Sequence, residues 1–239
     1  MKRILGVMRK AIEEHNMIQE GDRLAVGVSG GKDSMLLLEA LRKFQTFSPY
    51  KFQLLAVTVD LGFETQGINK LENYYKSNYI NYEIIETKIS QIVFDIRDER
   101  NPCALCSKMR KGAINNKLNE LGYNKLAMGH HADDLVETLF MSMFFEGRLK
   151  TFKPVTFLSR KEVYSIKPFI YLKEKQIINE IEKSQIPVFK SSCPLDKETK
   201  REEIKNLMKD IYSDIPDGRE RIITAIKNSD KVELWWKEF

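Results

Sequence analysis

Short apolar runs alternate with stretches of helical periodicity along most of the chain. Residues 24–28 (LAVGV) form one apolar run, and apolar residues then recur with a period near 3.6 over residues 34–44. The same order repeats downstream, with strands predicted at 53–60, 82–85 and 125–128 and helices at about 68–78, 109–121 and 135–145. Strands separated by helices form βαβ units, and such units build a parallel sheet with helices on both faces. The sequence therefore predicts an α/β fold of this type.

The regions on either side of this alternation are predicted to be mainly helical. Residues 1–16 have the pattern of an amphipathic helix. Beyond Gly147 we predict, in order, a basic stretch, an edge strand at 162–166, a helix at 173–183, a loop at 195–200 and helices at 201–212 and 218–228. We expect one compact unit, because neither an internal repeat nor a Gly-, Pro- or Ser-rich linker divides the chain. Trp235 and Trp236 are expected to pack against the last helices.

Composition and charge limit the class of protein. The chain has 239 residues, 42% of them hydrophobic and 31% charged, which excludes collagen-like and mostly disordered proteins. No segment approaches the ~18 consecutive apolar residues of a membrane span, and the N-terminus lacks the apolar stretch of a secretory signal. A cytoplasmic protein is therefore expected. The net charge of +5 is compatible with a polyanionic partner without requiring one.

The segment SGGKDS, residues 29–34, stands where the first predicted strand passes into a helix. Glycines allow close approach of a ligand to the backbone, and the amide groups and dipole of a helix start attract phosphate oxygens. The segment is not a Walker A loop, because Val26 replaces the first Gly and Asp33 replaces the Ser or Thr after Lys32. A tight turn with a Ser or Asp cap is the alternative interpretation.

Three cysteines form a second candidate site. Cys103 and Cys106 make a C-x-x-C pair, and Cys193 follows much later, an odd count that excludes the disulfide framework of small secreted proteins. A redox C-x-x-C would leave Cys193 without a role. A structural zinc would need a fourth ligand, for which the chain offers the histidines His15, His130 and His131. Three unrelated buried thiols are the remaining alternative.

Acidic residues cluster where the helix predicted at 135–145 begins. Asp133 and Asp134 are suited to cap that helix and to interact with its dipole. Glu137 lies on the same helical face, so the three carboxylates are also a candidate site for Mg²⁺ or proton transfer. The preceding His130 and His131 have either a structural or a functional role.

Several ordered motifs resemble one enzyme family. SGGKDS after the first strand resembles the PP-loop of the ATP pyrophosphatases, and GHHADDLVET (129–138) resembles the second signature of their tRNA 2-thiocytidine synthetase branch. The segment CALCSKMRKG (103–112), Lys167-Pro168 with Ile170-Tyr171, and Ser192-Cys193-Pro194 resemble further landmarks of that branch. Lys167 is a departure, because Arg usually precedes this Pro in the family.

The resemblance implies an adenine nucleotide alpha hydrolase-like, Rossmann-like fold with short helical N- and C-terminal extensions. It implies that ATP phosphates bind to the loop residues Ser29, Gly30, Gly31, Lys32, Asp33 and Ser34. Asp33 would help to place Mg²⁺ on the pyrophosphate. The adenine would lie near Val57, Val59 and Gly129 and be held by backbone contacts, and Asp134 would also belong to the nucleotide site.

The resemblance also implies a 4Fe-4S cluster with three cysteine ligands, Cys103, Cys106 and Cys193. The iron without a protein ligand would bind sulfide and present it to an activated carbon. Asp133 would be the acid/base group, and Arg110 would contact substrate or sulfur. Asp33 would be the third catalytic residue. The activity implied is adenylation of the 2-oxygen of a cytidine in a tRNA anticodon loop, followed by its replacement with sulfur.

The partners and the domain division follow from the same resemblance. We expect a tRNA substrate, a sulfide donor that is either a cysteine desulfurase or free sulfide, no membrane partner and a homodimer. Basic residues that flank the motifs are candidate RNA contacts: Lys108, Arg110, Lys111, Arg148, Lys150, Lys153, Arg160 and Lys161. The expected division is an N-terminal helix (1–20), a PP-loop ATP-binding domain with the C-x-x-C (21–172), and a helical C-terminal region with the third cysteine (173–239).

Three alternative functions stay open at this stage. The related 2-thiouridine branch also has three core cysteines, but its members carry terminal zinc fingers for which this chain has no further cysteine. A PP-loop enzyme that adenylates a small molecule and holds a structural zinc would not need the basic flank. A nucleotide-binding sensor would bind ATP without RNA-stimulated turnover.

Overall fold

The computed structural model of the protein describes residues 1–63, 66–97, 102–159, 162–189, 193–195 and 199–228. The helices are α1 Lys2–Glu14, α2 Lys32–Gln45, α3 Gln66–Ser77, α4 Pro102–Leu121, α5 Ala132–Glu146, α6 Glu174–Ser184, α7 Lys200–Asp214 and α8 Gly218–Lys227. The strands are β1 Arg23–Gly27, β2 Gln53–Asp60, β3 Tyr82–Glu86, β4 Lys125–Ala127, β5 Val155–Leu158 and β6 Val163–Ile166. Residues singled out in the sequence that lie outside the described ranges are Arg160, Lys161, Ser192, Trp235 and Trp236.

The chain divides into two compact units, so the expectation of one compact unit is wrong. The first combines Met1–His131 with Lys153–Lys197, and the second combines Ala132–Phe152 with Glu198–Phe239. The chain therefore leaves the first unit after His131, returns to it, and leaves it again. The three-part division expected from the sequence stays a prediction. Among the described residues, no helix is both long enough and apolar enough to cross a bilayer.

A six-stranded sheet forms the centre of the first unit, with the strand order β3-β2-β1-β4-β6-β5. Strands β1, β2, β3, β4 and β6 run parallel, and β5 runs antiparallel to β6. From β1 the chain builds the sheet first on one side, through β2 and β3, and then on the other side, through β4. The direction of the strand order therefore changes at β1. In sheets of this kind, ligands bind beyond the carboxyl ends of the strands at such a switch point. The predicted α/β fold is confirmed.

Burial of both sheet faces explains why helices lie on each side. Consecutive residues of a strand point to opposite faces, and Leu24, Ala25 and Val26 of β1 are all fully buried. Ala25 packs in a core cluster with Ile114 and Leu118 of α4. Helix α2 contacts β1 and also packs against α1 and α6. Helix α2 is a central helix, because it buries eight of its residues: Ser34, Met35, Leu36, Leu37, Leu38, Ala40, Leu41 and Phe44.

Two predicted elements differ from the structure. The helix predicted to begin at about Met109 begins at Pro102, so Cys103 and Cys106 lie in its first two turns. Proline is favoured at the first position of a helix, where its missing N–H has no intrahelical acceptor anyway. The strand predicted as an edge at 162–166 is internal, because β5 (Val155–Leu158) pairs outside β6. A π-helical turn at Gln91–Ile96 was not predicted either.

The second unit is helical in its described part. Helices α5, α7 and α8 pack around Val136, Ile204 and Met208, with Phe140 and Ile222 partly buried against them. Thr199 caps the start of α7, since its side chain accepts a hydrogen bond from the Glu202 N–H. This packing holds the first turn of α5, where the acidic motif lies, against two helices from the C-terminal part of the chain.

Candidate active site

The loop between β1 and α2 has a conformation that requires glycine. Gly30 has φ +83°, in the left-handed region that favours glycine, and a Cβ at this position would lie 3.1 Å from Cβ of Phe189. The Gly30 carbonyl accepts a hydrogen bond from the Phe189 N–H at 2.9 Å. Both constraints fix the loop closely against the segment around Phe189.

Ser34 holds the loop in shape. Its hydroxyl donates to the Gly31 carbonyl at 2.9 Å, and it accepts a hydrogen bond from the Ser29 N–H at 3.2 Å. Ser34 is buried, so its side chain supports the loop from inside. Helix α2 begins at Lys32, and the amide groups of its first turn have no acceptor within the helix. The arrangement is therefore suited to receive an anion.

Lys32 lies between two carboxylates. Its Nζ is 3.0 Å from Oε1 of Glu174 and 3.2 Å from Oδ2 of Asp33. Burial opposes the charge of Lys32, but the carboxylates of Asp33 and Glu174 outweigh burial and raise the pKa of its ammonium group. Lys32 is therefore a fixed positive charge at the start of α2. Sequence reasoning missed Glu174, which lies 142 residues further along the chain.

Asp33 and Gly129 meet where α2 begins beside the end of β4. A Cβ on Gly129 would lie 3.0 Å from the carbonyl carbon of Asp33, so this approach requires glycine. Oδ1 of Asp33 is buried, and no described residue donates a hydrogen bond to it. Nε2 of the buried His131 lies 3.7 Å from this oxygen, at ion-pair rather than hydrogen-bond distance. An oxygen in this state is chemically suited to a metal ion.

Val57 and Val59 stand at the end of β2. The side chain of Val57 is fully buried in the core shared with α4, and Val59 packs against the same core. The Val57 carbonyl accepts a hydrogen bond from the Val28 N–H at 2.8 Å. Their side chains thus build the sheet, and only backbone groups of this strand end are suited to contact a nucleotide.

The three cysteines approach one another in the first unit. Cys103, Cys106 and Arg110 are spaced by three and four residues on α4, which places them on one helical face. Burial raises the pKa of the Cys106 thiol, Arg110 lowers it, and the charges of Cys193 and Cys103 raise it further. Cys193 and Cys103 are therefore close enough to act electrostatically on Cys106, and Arg110 is positioned to offset thiolate charge.

The donor set that these cysteines offer consists of three thiols. Among the described residues, no three His, Cys, Asp or Glu side chains are close enough to hold one ion. A zinc ion needs all its ligands within about 2.3 Å of one centre, whereas a cluster takes each thiolate on a different iron. Three thiols give one ligand to each of three irons, so the donor set fits a cluster, whereas the structural zinc considered from the sequence would need a fourth ligand.

The acidic motif of the second unit is paired with arginines. Nε of Arg219 lies 2.9 Å from Oδ1 of Asp133, as an ion pair rather than an aligned hydrogen bond. Nη1 of Arg201 lies 3.1 Å from Oδ1 of Asp134 and 3.5 Å from Oε2 of Glu137. Asp133 and Glu137 are buried. Sequence reasoning missed both arginines, because nothing local in α7 or α8 identifies their partners on α5.

Tyr212 of α7 completes this carboxylate cluster. Burial raises the pKa of its phenol, the contact with Arg219 lowers it, and the charges of Asp133 and Glu137 raise it. The guanidinium carbon of Arg219 lies 4.7 Å from the centre of the Tyr212 ring. Arg219 is thus held from two sides, by an aromatic face and by a carboxylate.

Lys167 directly follows β6 at the carboxyl edge of the sheet. Ile166, the residue before it, accepts a hydrogen bond at its carbonyl from the Met128 N–H at 2.9 Å, which places Lys167 beside the strand end that leads to Gly129. Lys167 is buried, and burial together with the charge of Lys111 lowers its pKa to about 8. A buried lysine thus occupies the position of the motif that departs from the family pattern.

Similarity to known proteins identifies the family. A family model described as a PP-loop domain matches residues 5–211. The curated tRNA-cytidine(32) 2-sulfurtransferase of Pelobacter propionicus is 35% identical over 233 residues, covering 95% of this chain and 86% of that protein. The chain belongs to the tRNA-cytidine(32) 2-sulfurtransferase family. A protein of the same name from Neisseria meningitidis is 36% identical over 229 residues, covering 95% of this chain and 72% of that protein.

Solved structures of low sequence identity share the fold. The U34-tRNA thiolase NcsA from Methanococcus maripaludis, solved with its [4Fe-4S] cluster, matches with a TM-score of 0.78 at 24% identity, covering 98% of this chain and 80% of that chain. The NH3-dependent NAD synthetase of Campylobacter jejuni matches with a TM-score of 0.54 at 14% identity, covering 99% of both chains. At these identities the likeness concerns the fold.

Membership of the tRNA-cytidine(32) 2-sulfurtransferase family confirms the resemblance inferred from the motifs. The PP-loop fold and the interpretation of the chain as a tRNA-modifying transferase are likewise confirmed. The curated relatives are named for cytidine, so the 2-thiouridine alternative is not favoured. The individual site residues stay predictions, and their roles are proposed below.

Proposed function

We propose that the protein is an ATP-dependent tRNA sulfurtransferase that replaces the 2-oxygen of a cytidine in the anticodon loop with sulfur. The observation that carries this proposal is the presence, in one unit, of an anion-accepting SGGKDS loop and three converging thiols, Cys103, Cys106 and Cys193. The names of the curated relatives support the choice of substrate.

The proposed reaction has two stages. In the first, O2 of the cytidine forms a bond to the α-phosphorus of ATP, the bond to the bridging oxygen breaks, and pyrophosphate leaves. In the second, sulfur forms a bond to C2, the bond between C2 and O2 breaks, and AMP leaves. We assign the acid/base role to Asp133, which its ion pair with Arg219 holds in position.

The PP-loop is the proposed phosphate site. Ser29, Gly30, Gly31, Lys32, Asp33 and Ser34 would surround the phosphates with amide groups and the Lys32 ammonium. ATP must compete for Lys32 with Glu174 and Asp33, which hold its Nζ at 3.0 and 3.2 Å. The adenine would contact backbone groups near Val57, Val59 and Gly129, because the valine side chains are engaged in the core.

Mg²⁺ is proposed to bind at Asp33. Support comes from its buried Oδ1, to which no described residue donates a hydrogen bond, since Mg²⁺ prefers one or two carboxylate oxygens together with phosphate oxygens. Asp134 was also predicted to belong to the nucleotide site. It pairs with Arg201, so a role in binding the nucleotide would require exchange of that partner.

Cys103, Cys106 and Cys193 are the proposed ligands of a 4Fe-4S cluster. Support comes from their mutual electrostatic influence and from a set of three thiols, which is one ligand short of a structural zinc site. When bound, the cluster would supply an iron that lacks a protein ligand and accepts sulfide. Arg110, which already offsets charge at Cys106, would stabilise the negative charge that thiolates and sulfide bring to this place.

The remaining partners are proposals of the same kind. We propose that sulfur arrives as free sulfide or from a cysteine desulfurase, and that the protein forms a homodimer. Both follow from the family resemblance.

Metal analysis of anaerobically purified protein tests the proposal. The wild type is expected to contain about four irons and four acid-labile sulfides per chain, with a visible absorption band, and Cys193→Ala is expected to lose them. The reconstituted wild type should convert ATP to AMP in a tRNA-stimulated manner and place sulfur in cytidine, measured by mass spectrometry of tRNA nucleosides. Stoichiometric zinc without iron, even after reconstitution, would contradict the cluster, and sulfur in uridine would contradict the substrate.

A further inference from the structure

A continuous exposed segment with aromatic and basic side chains extends from the end of α5. All residues from 143 to 150 are exposed, among them Phe144, Phe145 and Leu149 at 56%, 51% and 58%. Monomeric soluble proteins rarely place several large apolar side chains together in water unless the patch is functional. We call Phe144, Phe145, Arg148, Leu149 and Lys150 the aromatic-basic surface.

The backbone of this segment is held in a defined turn. Gly147 has φ +63°, and the Arg148 N–H donates a hydrogen bond to the Ser142 carbonyl at 3.1 Å. The ring of Phe144 lies 5.7 Å from the ring of Phe140, which packs in the core of the second unit. Phe140 therefore supports the ring of Phe144 on the side of the core, while more than half of Phe144 is exposed to solvent. A ring held in this way can serve as a platform on which a base stacks.

Cations outnumber carboxylates around these rings, where the exposed Arg148 and Lys150 face the single acidic residue Glu146 of this segment, and Lys200 pairs with Glu203. Nζ of Lys200 lies 5.7 Å from the centre of the Phe145 ring. From Gly147 to residue 161 the sequence has five cationic residues and no acidic one. Arg148 and Lys150 of this stretch are exposed in the described part of the chain. A purely apolar self-association surface has no need for this excess of cations, whereas a surface that binds a polyanion does.

We propose that the aromatic-basic surface binds single-stranded nucleotides of the tRNA, with bases stacked on Phe144 and Phe145 and phosphates paired with Arg148 and Lys150. Loop nucleotides are recognised in this way, because their unstacked bases present a π-face and their phosphates remain charged. The inference rests on the proposed function, since it names the surface through which that function takes its RNA substrate.

Conservative substitutions test the stacking. Leucine keeps the surface apolar but removes the ring, so Phe144→Leu with Phe145→Leu is expected to raise the Kd for tRNA roughly 10-fold for each stacked base. Phe47→Leu is the matched control, because Phe47 is 49% exposed in the first unit. The Kd is measured by fluorescence anisotropy with labelled tRNA, and a thermal melt of each variant checks folding. An unchanged Kd for the double variant would overturn the proposal.

Salt dependence tests the phosphate contacts separately. Each phosphate contact on a single strand contributes about 0.7 to the slope of log K against log salt concentration. Arg148→Gln with Lys150→Gln is therefore expected to reduce the slope by about 1.4, whereas the control Lys10→Gln, an exposed lysine of α1, leaves it unchanged. A slope equal to that of the wild type would contradict the assignment of these two cations.

Self-association is the rival use of this surface. The variant Phe144→Ser with Phe145→Ser is examined by analytical ultracentrifugation beside the leucine variant. If the serine variant is a monomer, while the leucine variant remains dimeric and binds tRNA like the wild type, the surface joins two copies of the chain. In that case the proposal is wrong. Wild-type protein that neither binds nor thiolates tRNA would instead refute the proposed function. The two failures are therefore distinguishable.

Discussion

Arg219 lies across an ion pair from Asp133, with 2.9 Å between Nε and Oδ1, so the start of α8 is tied to the first turn of α5. Arg201 of α7 makes the equivalent connection to Asp134. The carboxylates that the motif GHHADDLVET contributes are thus positioned by residues from the C-terminal part of the chain.

Replacement of Arg219 tests whether this ion pair serves the reaction. Arg219→Gln removes the positive charge that pairs with Asp133 and is expected to lower kcat for thiolation roughly 10- to 100-fold, with KM for ATP unchanged. Arg221→Gln, an exposed arginine of the same helix, is the control and should behave like the wild type. Steady-state kinetics checks this, and an equal effect of both variants would argue that the ion pair has no special role.

Gly129→Ala tests the close approach of α2 and β4. The added Cβ would lie 3.0 Å from the carbonyl carbon of Asp33 and would displace the start of the PP-loop helix. We expect KM for ATP to rise roughly 10- to 100-fold, because shifts of about 1 Å misplace reacting groups. Gly6→Ala is the control, since a Cβ there meets nothing within 4 Å and should stabilise α1 by about 0.5–1 kcal/mol. Normal ATP kinetics in Gly129→Ala would show that the approach is not needed.

Lys167 predicts a specific dependence of stability on pH. Its pKa is about 8 in the folded protein against 10.5 when exposed, so between these values the unfolded chain binds more protons than the native one. Below pH 8 the buried lysine is charged, and the full cost of burying that charge lowers the free energy of unfolding. As the pH rises above 8, Lys167 loses its proton in the folded protein and this cost is relieved. The free energy of unfolding of the wild type minus that of Lys167→Met should increase by about 2–3 kcal/mol from pH 7 to pH 10.

Urea unfolding of the wild type and of Lys167→Met at pH 7 and pH 10 measures this difference. Subtracting one free energy from the other cancels the contribution of the titratable groups that both proteins share. Lys10→Met, at an exposed position of α1, is the control and should show no such increase. A difference that is constant with pH would mean that Lys167 keeps an ordinary pKa.

Asp22 and Lys125 form a buried ion pair at the amino ends of β1 and β4, away from the strand ends that carry the candidate site. Nζ of Lys125 lies 2.6 Å from Oδ2 of Asp22, and both side chains are less than 10% exposed. Asp22→Asn leaves the lysine charge buried and should cost about 3–5 kcal/mol of unfolding free energy, with KM for ATP unchanged. The exposed pair of Arg9 and Glu13 gives the control, because Glu13→Gln should cost less than about 1 kcal/mol. Comparable losses in the two variants would contradict this reasoning.

Local patterns in the sequence predict the PP-loop and its setting well. The change from apolar run to Gly-rich turn to helical period at SGGKDS is contiguous, and short-range sterics determine where each part begins. The start of α4 was also readable, because Pro102 is a helix-start signal, yet the prediction placed the helix at Met109 and left the cysteines outside it.

Partners far apart along the chain were not predictable in this way. Glu174 meets Lys32, and Arg201 meets Asp134 across 67 residues, only because the folded packing brings their helices together. Strand β5 is four residues long and becomes recognisable only through its pairing with β6. Which side chains form ion pairs and which strands pair depends on the tertiary structure, and a single sequence does not display it.

The discontinuity of the first unit has a consequence for biosynthesis. Cys106 and Cys193 are separated by 87 residues, and the acidic α5 is translated between them. At about 5–20 residues per second, the C-x-x-C pair leaves the ribosome roughly 4 to 17 s before the third cysteine. During that interval the nascent chain presents a bare dithiol, so metal loading that needs all three thiols is a late event, and a single ion or an oxidant has the first opportunity to react there.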